Sequence, residues 1–322
     1  MSRPGVLITR RLPASVVTRV AAACDVDLYE GPDAIPREEL LRRVAGKQAL
    51  MCLLTDRVDD AVLDAAGPSL KIVANIAVGY DNLDVAAARA RGVAVTNTPD
   101  VLTEATADFT WALMLSIMRR VPEGERLVRR GAWKGWALDF MLGSDLRGKQ
   151  LGIVGLGRIG RAVAARAAAF GMRVAYTTMG DDAAGQAQVT GGGESMGLDT
   201  LLTSSDVVSL HVPLTAGTRH LIDRRALARM KRTAYLVNTS RGPVIDEEAL
   251  AWALREGIIA GAALDVYERE PAIHADLLSM ENVVLAPHLG SATVETRTAM
   301  ADLAASNVLA VLGGHPPVTP IR

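Results

Sequence analysis

The 322-residue chain balances 35 Lys and Arg against 36 Asp and Glu, for a formal net charge of −1, and 49% of it is hydrophobic with only 4% aromatic. This excludes a broadly basic nucleic-acid surface and a polybasic membrane contact, and the length allows two domains whose cores rely on alanine and valine. The two cysteines, Cys24 and Cys52, have neither CxxC nor metal-ligand spacing. The N-terminus turns from an apolar strand straight into Arg10-Arg11, and no apolar stretch is long enough to cross a bilayer. A reduced cytoplasmic protein without a metal site is expected.

In chain order, Val6 to Ile8 opens as a short apolar strand, and similar runs recur at 26–29, 49–54, 72–74 and 93–95. Helical patterns at 15–23, 37–44 and 62–66 separate them. Alternation of this kind predicts a parallel, doubly wound α/β unit, closed by the turn Asn97-Thr98-Pro99-Asp100. A long helical pattern follows at 103–118, with Asp100 as its expected N-cap. Its apolar face includes Trp111, Met114, Leu115 and Met118, which suits a helix central to the chain or one buried in a subunit contact. Residues 129–149 read as an irregular connection carrying Trp133 and Trp136.

The second unit starts at Leu151. A buried strand to Val154 leads into Gly155-Leu156-Gly157-Arg158-Ile159-Gly160, and a helix from Arg161 ends at Gly171. Strand, G-x-G-x-x-G and helix in this order form a dinucleotide fingerprint. Gly155 allows the tight turn, Gly157 lets a pyrophosphate approach the backbone, and Gly160 lets helix and strand pack closely. Further strands are expected at 174–176, 207–210, 234–237, 261–264 and 283–286, giving six in a Rossmann sheet. The helix at 293–312 is too small a tail to form a domain, so it is assigned back to the first unit. The expected division is 1–99 with 289–322 as a discontinuous substrate domain, and 100–288 as the inserted coenzyme domain, with the ligand crevice between them.

Ligands of open α/β sheets bind beyond the carboxyl ends of the strands. At those ends stand Asn238-Thr239-Ser240-Arg241, then Asp265 with Glu270-Pro271 five residues on, then Pro287-His288. Taken singly, Arg241 also reads as a helix-start surface residue, Asp265 as a loop cap, Glu270 as solvated and His288 as a core histidine. An arginine, two acids and a histidine at successive strand ends favour a site. His211 and His220 also follow a strand, in or beyond the segment His211-Val212-Pro213-Leu214-Thr215.

Six stretches carry a family resemblance: Val78-Gly79-Tyr80-Asp81-Asn82, the glycine turn, His211 to Thr215, Asn238-Thr239-Ser240-Arg241-Gly242, Leu264-Asp265-Val266-Tyr267-Glu268 with Glu270-Pro271, and Ala286-Pro287-His288. Together they resemble the D-isomer-specific 2-hydroxyacid dehydrogenases, in order and over most of the chain. The resemblance implies a flavodoxin-like substrate domain holding a Rossmann coenzyme domain, and a homodimer through the latter. It implies Arg241, Glu270 and His288 as the catalytic set, His288 giving the proton in reduction of a small 2-keto acid. Coenzyme contacts would come from Gly155, Leu156, Gly157, Arg158, Ile159, Gly160, Thr178, Val212, Pro213, Thr218, Thr239, Asp265 (at the nicotinamide end) and Gly290. Leu53, Val78 and Gly79, with Arg241 and His288, would contact substrate.

Glu270 in place of glutamine argues against a formate dehydrogenase, and Val78 in place of lysine against a phosphite dehydrogenase. The apolar Leu53-Leu54 argues against a phosphoglycerate enzyme. The stretch from Cys52 to Asp59 resembles glyoxylate and hydroxypyruvate reductases, in which an aromatic residue placed like Trp136 covers the partner's substrate; a loop anchor is the other reading of Trp136. An NAD enzyme should carry an acid about 20 residues beyond the glycines to bond the ribose 2′-OH. Tyr176-Thr177-Thr178-Met179 has none, which leans toward NADP, although Asp181-Asp182 could reverse it. Other D-2-hydroxyacid dehydrogenases, of phosphoglycerate or D-lactate type, and a non-catalytic NAD(H)-sensing protein are the alternatives.

Overall fold

A computed structural model describes residues 3–178 and 192–321 and divides the chain into two units, Met1–Leu102 with Ala292–Arg322, and Thr103–Ser291. In the first unit, strands β1 (Gly5–Ile8), β2 (Asp25–Leu28), β3 (Ala49–Cys52), β4 (Ile72–Asn75) and β5 (Ala94–Thr96) form a parallel sheet ordered β2-β1-β3-β4-β5. This is the flavodoxin-like order, with its reversal between β1 and β3. Every residue of β3 and β4 is buried, as expected of strands covered on both faces. Asp59 and Asp84 cap helices Asp60–Ala66 and Val85–Ala90 by accepting the N–H three residues on, contacts typically worth about 1 kcal/mol each.

The C-terminal helix, Val294–Leu312, belongs to this unit and buries Met300, Ala301, Ala304, Ala305, Asn307 and Val308. Beyond it the chain returns to the sheet, where Pro320 makes an antiparallel bridge with Thr96. The division at Leu102 and Ala292 lies three residues beyond each boundary drawn from sequence, because helix Thr103–Met118 packs wholly into the second unit.

That second unit contains β6 (Gln150–Val154), β7 (Arg173–Thr177), β8 (Glu194–Ser195), β9 (Val207–Leu210), β10 (Tyr235–Asn238), β11 (Gly261–Leu264) and β12 (Val283–Leu285). They are parallel and ordered β12-β11-β10-β9-β6-β7-β8, a Rossmann order extended by one strand. The exposed two-residue β8 is the addition to the six strands read from sequence; a pair of residues carries no periodic signal.

Helix Thr103–Met118 is the central element of this unit. Its Trp111 is buried, donates from Nε1 to Val163 O at 3.0 Å and stacks on Phe170 with ring centroids 4.4 Å apart. Of its two readings, the chain's own core accounts for the apolar face. Asp100 stands in the turn three residues before Thr103, with a left-handed φ of 70° that aspartate tolerates better than most residues. Helix Val121–Arg129 was not anticipated, and residues 130–149 contain no helix or strand. Among the described residues no helix is long and apolar enough to cross a membrane.

Candidate active site

The glycine turn leaves β6 at the reversal point of the second sheet. Gly155 has φ 96°, and a side chain there would meet His211 O at 2.7 Å. A methyl group on Gly160 would lie 2.1 Å from Gly155 O, so helix Arg158–Ala167 can pack this close only on a glycine. Gly157 differs: a Cβ there meets nothing within 4 Å. It occupies the N-cap of that helix and offers no side-chain cap, so the first helical N–H groups and the positive dipole end keep the anion-binding capacity of an uncapped terminus. Open space against uncapped N–H groups is the cradle a dinucleotide pyrophosphate requires. Gly157→Ala is expected to keep the fold, since the methyl fits the protein itself, and to weaken coenzyme binding about tenfold or more by crowding the phosphate. Calorimetry giving an unchanged coenzyme Kd would remove this role.

Around the turn, Val212 is buried against Gly155, Leu156 is buried so that only its backbone is available, and Gly157, Arg158 and Pro213 are exposed. Ile159 and Thr178 are half-buried, Thr178 directly after β7. Met179, Asp181 and Asp182 lie outside the described residues. The buried hydroxyl of Thr218 donates to Pro213 O at 2.6 Å and accepts from Thr215 N at 2.8 Å, which shapes the loop after β9. The Thr239 hydroxyl lies 2.8 Å from that of Thr110. Thr110 spends its single proton on Thr106 O at 2.8 Å, so Thr239 donates and keeps its oxygen as an acceptor.

The loops after β10, β11 and β12 bring the titratable groups together. His288 Nδ1 donates to Glu270 Oε2 at 2.9 Å, and Glu270 Oε1 accepts from Tyr267 N at 3.1 Å. Among the described residues His288 Nε2 has no hydrogen bond, and the side chain is partly exposed. Burial would push the Glu270 carboxyl up; the hydrogen bond and charge of His288, the Tyr267 N–H and the charge of Arg241 outweigh it and hold the group below its ordinary value. Arg241 is half-buried, donates from Nη1 to Ser240 O at 2.9 Å, and has its own carbonyl held by Asn238 Nδ2 at 2.9 Å. Next to it, a Cβ on Gly242 would fall 1.9 Å from the Tyr267 carbonyl, so glycine lets the two loops touch.

His288 sits at a left-handed φ of 56°, a conformation that for a histidine costs on the order of 1–3 kcal/mol. Asp265 sustains it. Its carbonyl accepts from His288 N at 2.9 Å, and its carboxylate accepts from Leu289 N at 2.6 Å and Gly290 N at 2.8 Å. Asp265 is fully buried, which pushes its carboxyl up, while those two N–H groups and the His288 charge pull it down. Both carboxylate oxygens of Asp265 and the Gly290 N–H thus fix the turn that presents His288, and each oxygen keeps a second acceptor site.

Sequence reasoning gave Tyr267 no role, yet its N–H orients Glu270 and its buried hydroxyl donates to Ala286 O at 2.9 Å. His211 and His220, which also follow a strand, are committed elsewhere. His211 is bonded through Nε2 to Ser209 Oγ at 2.8 Å, and burial lowers it to about 3, so it stays neutral. His220 Nε2 pairs with Glu268 at 2.8 Å. In the first unit, Leu53 follows β3, and Val78 and Gly79 follow β4; all three are half-buried.

Residues 111–290 match the profile of the D-isomer specific 2-hydroxyacid dehydrogenase NAD binding domain. The chain belongs to the D-isomer-specific 2-hydroxyacid dehydrogenases. The dehydrogenase is 49% identical over 320 residues to a glyoxylate reductase of Thermofilum pendens, covering 98% of this chain and 94% of that one. A crystal structure of a protein from Thermus thermophilus superposes with a TM-score of 0.92 at 46% identity, covering 99% of this chain and 100% of the other. An NADPH-dependent glyoxylate/hydroxypyruvate reductase of Sinorhizobium meliloti, crystallised with NADP and malonate, superposes with a TM-score of 0.86 at 37% identity, covering 99% and 97%.

Proposed function

We propose that this dehydrogenase reduces glyoxylate or hydroxypyruvate to the corresponding 2-hydroxy acid, the D isomer in the case of hydroxypyruvate, with His288 as proton donor. The observation that carries the reading is the His288–Glu270 contact at 2.9 Å, made through Nδ1 and leaving Nε2 for substrate. The bound nicotinamide supplies a hydride to the carbonyl carbon. His288 moves a proton from Nε2 to the carbonyl oxygen, and Glu270 accepts from Nδ1 and holds the ring in place. Arg241 draws electron density toward the carbonyl oxygen and binds the carboxylate. Asp265 and Tyr267 position the pair. Leu53, Val78 and Gly79 of the first unit contact substrate, the backbone N–H groups of Val78 and Gly79 donating to its carboxylate.

The second unit is assigned to coenzyme, with the Gly155–Gly160 turn, Thr178, Val212, Pro213 and Thr239 as contacts. The absence of an acid at Thr178 supports NADP, because no negative charge there repels a 2′-phosphate. A homodimer through this unit is supported by exposed apolar residues between 121 and 142, among them Trp136 at 82% and Leu138 at 81% exposure. Two buried free thiols suit a reducing cytoplasm. Steady-state assays of glyoxylate and hydroxypyruvate with NADPH and NADH test the reading. Turnover of both keto acids, faster with NADPH, is expected; no turnover with either coenzyme would leave a nucleotide-binding protein.

Glu270→Gln tests the acid–base pair through pH. The amide keeps the shape of the carboxylate but removes the negative charge that faces Nδ1. The alkaline limb of the reduction profile should move to lower pH, with activity loss small in acid and growing as pH rises. Stability runs the other way. Glu270 is held below its unfolded value, so its contribution is present above the ordinary glutamate range and lost as pH falls through the folded value. The variant should therefore lose less stability on acidification than the native chain. An unshifted alkaline limb would show that the two groups are uncoupled.

A further inference from the structure

We infer that Asn97 and Thr319 are positioning residues that aim the Val78 and Gly79 N–H groups at the substrate carboxylate. The inference rests on the proposed role of those two N–H groups. In a trans peptide the N–H points opposite to the preceding carbonyl, so anchoring a carbonyl aims the next N–H. Three consecutive carbonyls are anchored here. Ala77 O accepts from Thr98 N at 2.9 Å, Val78 O from Asn97 Nδ2 at 2.7 Å and Gly79 O from Asn75 Nδ2 at 3.0 Å. Among the described residues the N–H groups of Val78 and Gly79 donate to no backbone or side-chain acceptor.

Both asparagines are themselves held. Asn75 is fully buried, and its Oδ1 accepts from Cys52 Sγ at 3.7 Å and Asn82 Nδ2 at 3.4 Å. Asn82 Nδ2 also donates to Leu53 O at 3.1 Å and Asp56 O at 2.9 Å, joining the loops after β3 and β4 in one network. Asn97 is held from the far end of the chain. Thr319 Oγ1 donates to Asn97 O at 2.7 Å and accepts from Asn307 Nδ2 at 2.8 Å, while Thr319 N donates to Asn307 Oδ1 at 2.9 Å. Asn307 is fully buried in helix Val294–Leu312. The C-terminal segment therefore reaches the proposed carboxylate receptor through a single asparagine, and pre-organised donors bind an anion without reorganising.

The test compares Asn97→Ala, Thr319→Val and Thr319→Ser, with oxalate as a carboxylate probe of the coenzyme-saturated enzyme. Asn97→Ala and Thr319→Val should raise the oxalate Kd and the glyoxylate KM by on the order of 10- to 100-fold. Coenzyme Kd should be unchanged, kcat should fall less than KM rises, and Thr319→Ser should behave as the native chain. Unchanged oxalate Kd and KM in folded Asn97→Ala or Thr319→Val protein overturns the inference, as does parallel loss of coenzyme binding, which signals general disruption. Gly79→Pro deletes one of the N–H groups outright. If it leaves oxalate binding intact, the assignment of the carboxylate to this loop fails. If it weakens oxalate while the Asn97 and Thr319 variants do not, only the positioning role fails.

Discussion

Replacing His288 with asparagine should lower keto-acid reduction by roughly 10²–10⁴-fold, the usual contribution of a general acid, while coenzyme affinity stays near native. Asparagine is the informative substitute because of the backbone. His288 holds a φ of 56°, and asparagine is among the few residues that adopt left-handed angles at little cost. The Asp265 bonds to the backbone of residues 288, 289 and 290 survive the change, so the turn should keep its shape. The amide can still face Glu270 but cannot carry a proton to substrate. A loss confined to kcat/KM for the keto acid, with coenzyme Kd and thermal stability retained, is the expected pattern. A fully active variant would return His288 to the structural reading and end the proposed mechanism.

Much of the fold was legible because it depends on local pattern. The apolar runs that became β3 and β4 and the long wide-faced helix Thr103–Met118 need only periodicity and length to be read. Gly155 and Gly160 were legible because their jobs, a left-handed turn and a close packing contact, admit one residue type. Helix Val121–Arg129 was missed because it is short and carries Pro122 and Gly124, two residues that read as helix breakers, at its start. At the site, the order of strand ends shows that Glu270 and His288 follow neighbouring strands. It does not show which ring nitrogen meets the carboxylate, nor that Asp265 turns its carboxylate back on the backbone. Those depend on the left-handed angle of His288, which no pattern announces. The link from Thr319 to Asn97 joins residues 222 positions apart and is a property of the folded first unit alone.

Arg241→Lys should cost on the order of 10²–10³ in kcat/KM for glyoxylate, the scale seen when one donor to a developing oxyanion is removed. Lysine keeps the charge but loses the planar fork that meets a carboxylate and a carbonyl oxygen together. The surroundings are built for the guanidinium: Ser240 O accepts from Nη1, and Asn238 holds the residue's own carbonyl. Gly242 brings the Tyr267 backbone so close behind this loop that it has little room to shift toward a shorter-reaching group. The long-range charge on Glu270 is preserved by lysine and lost in Arg241→Gln, so comparing the two separates charge from geometry. Both variants should bind oxalate more weakly at unchanged coenzyme Kd, and Arg241→Gln should be the worse of the two. If Arg241→Lys stays within about threefold of native kcat/KM, point charge rather than the bidentate fork is what the site uses.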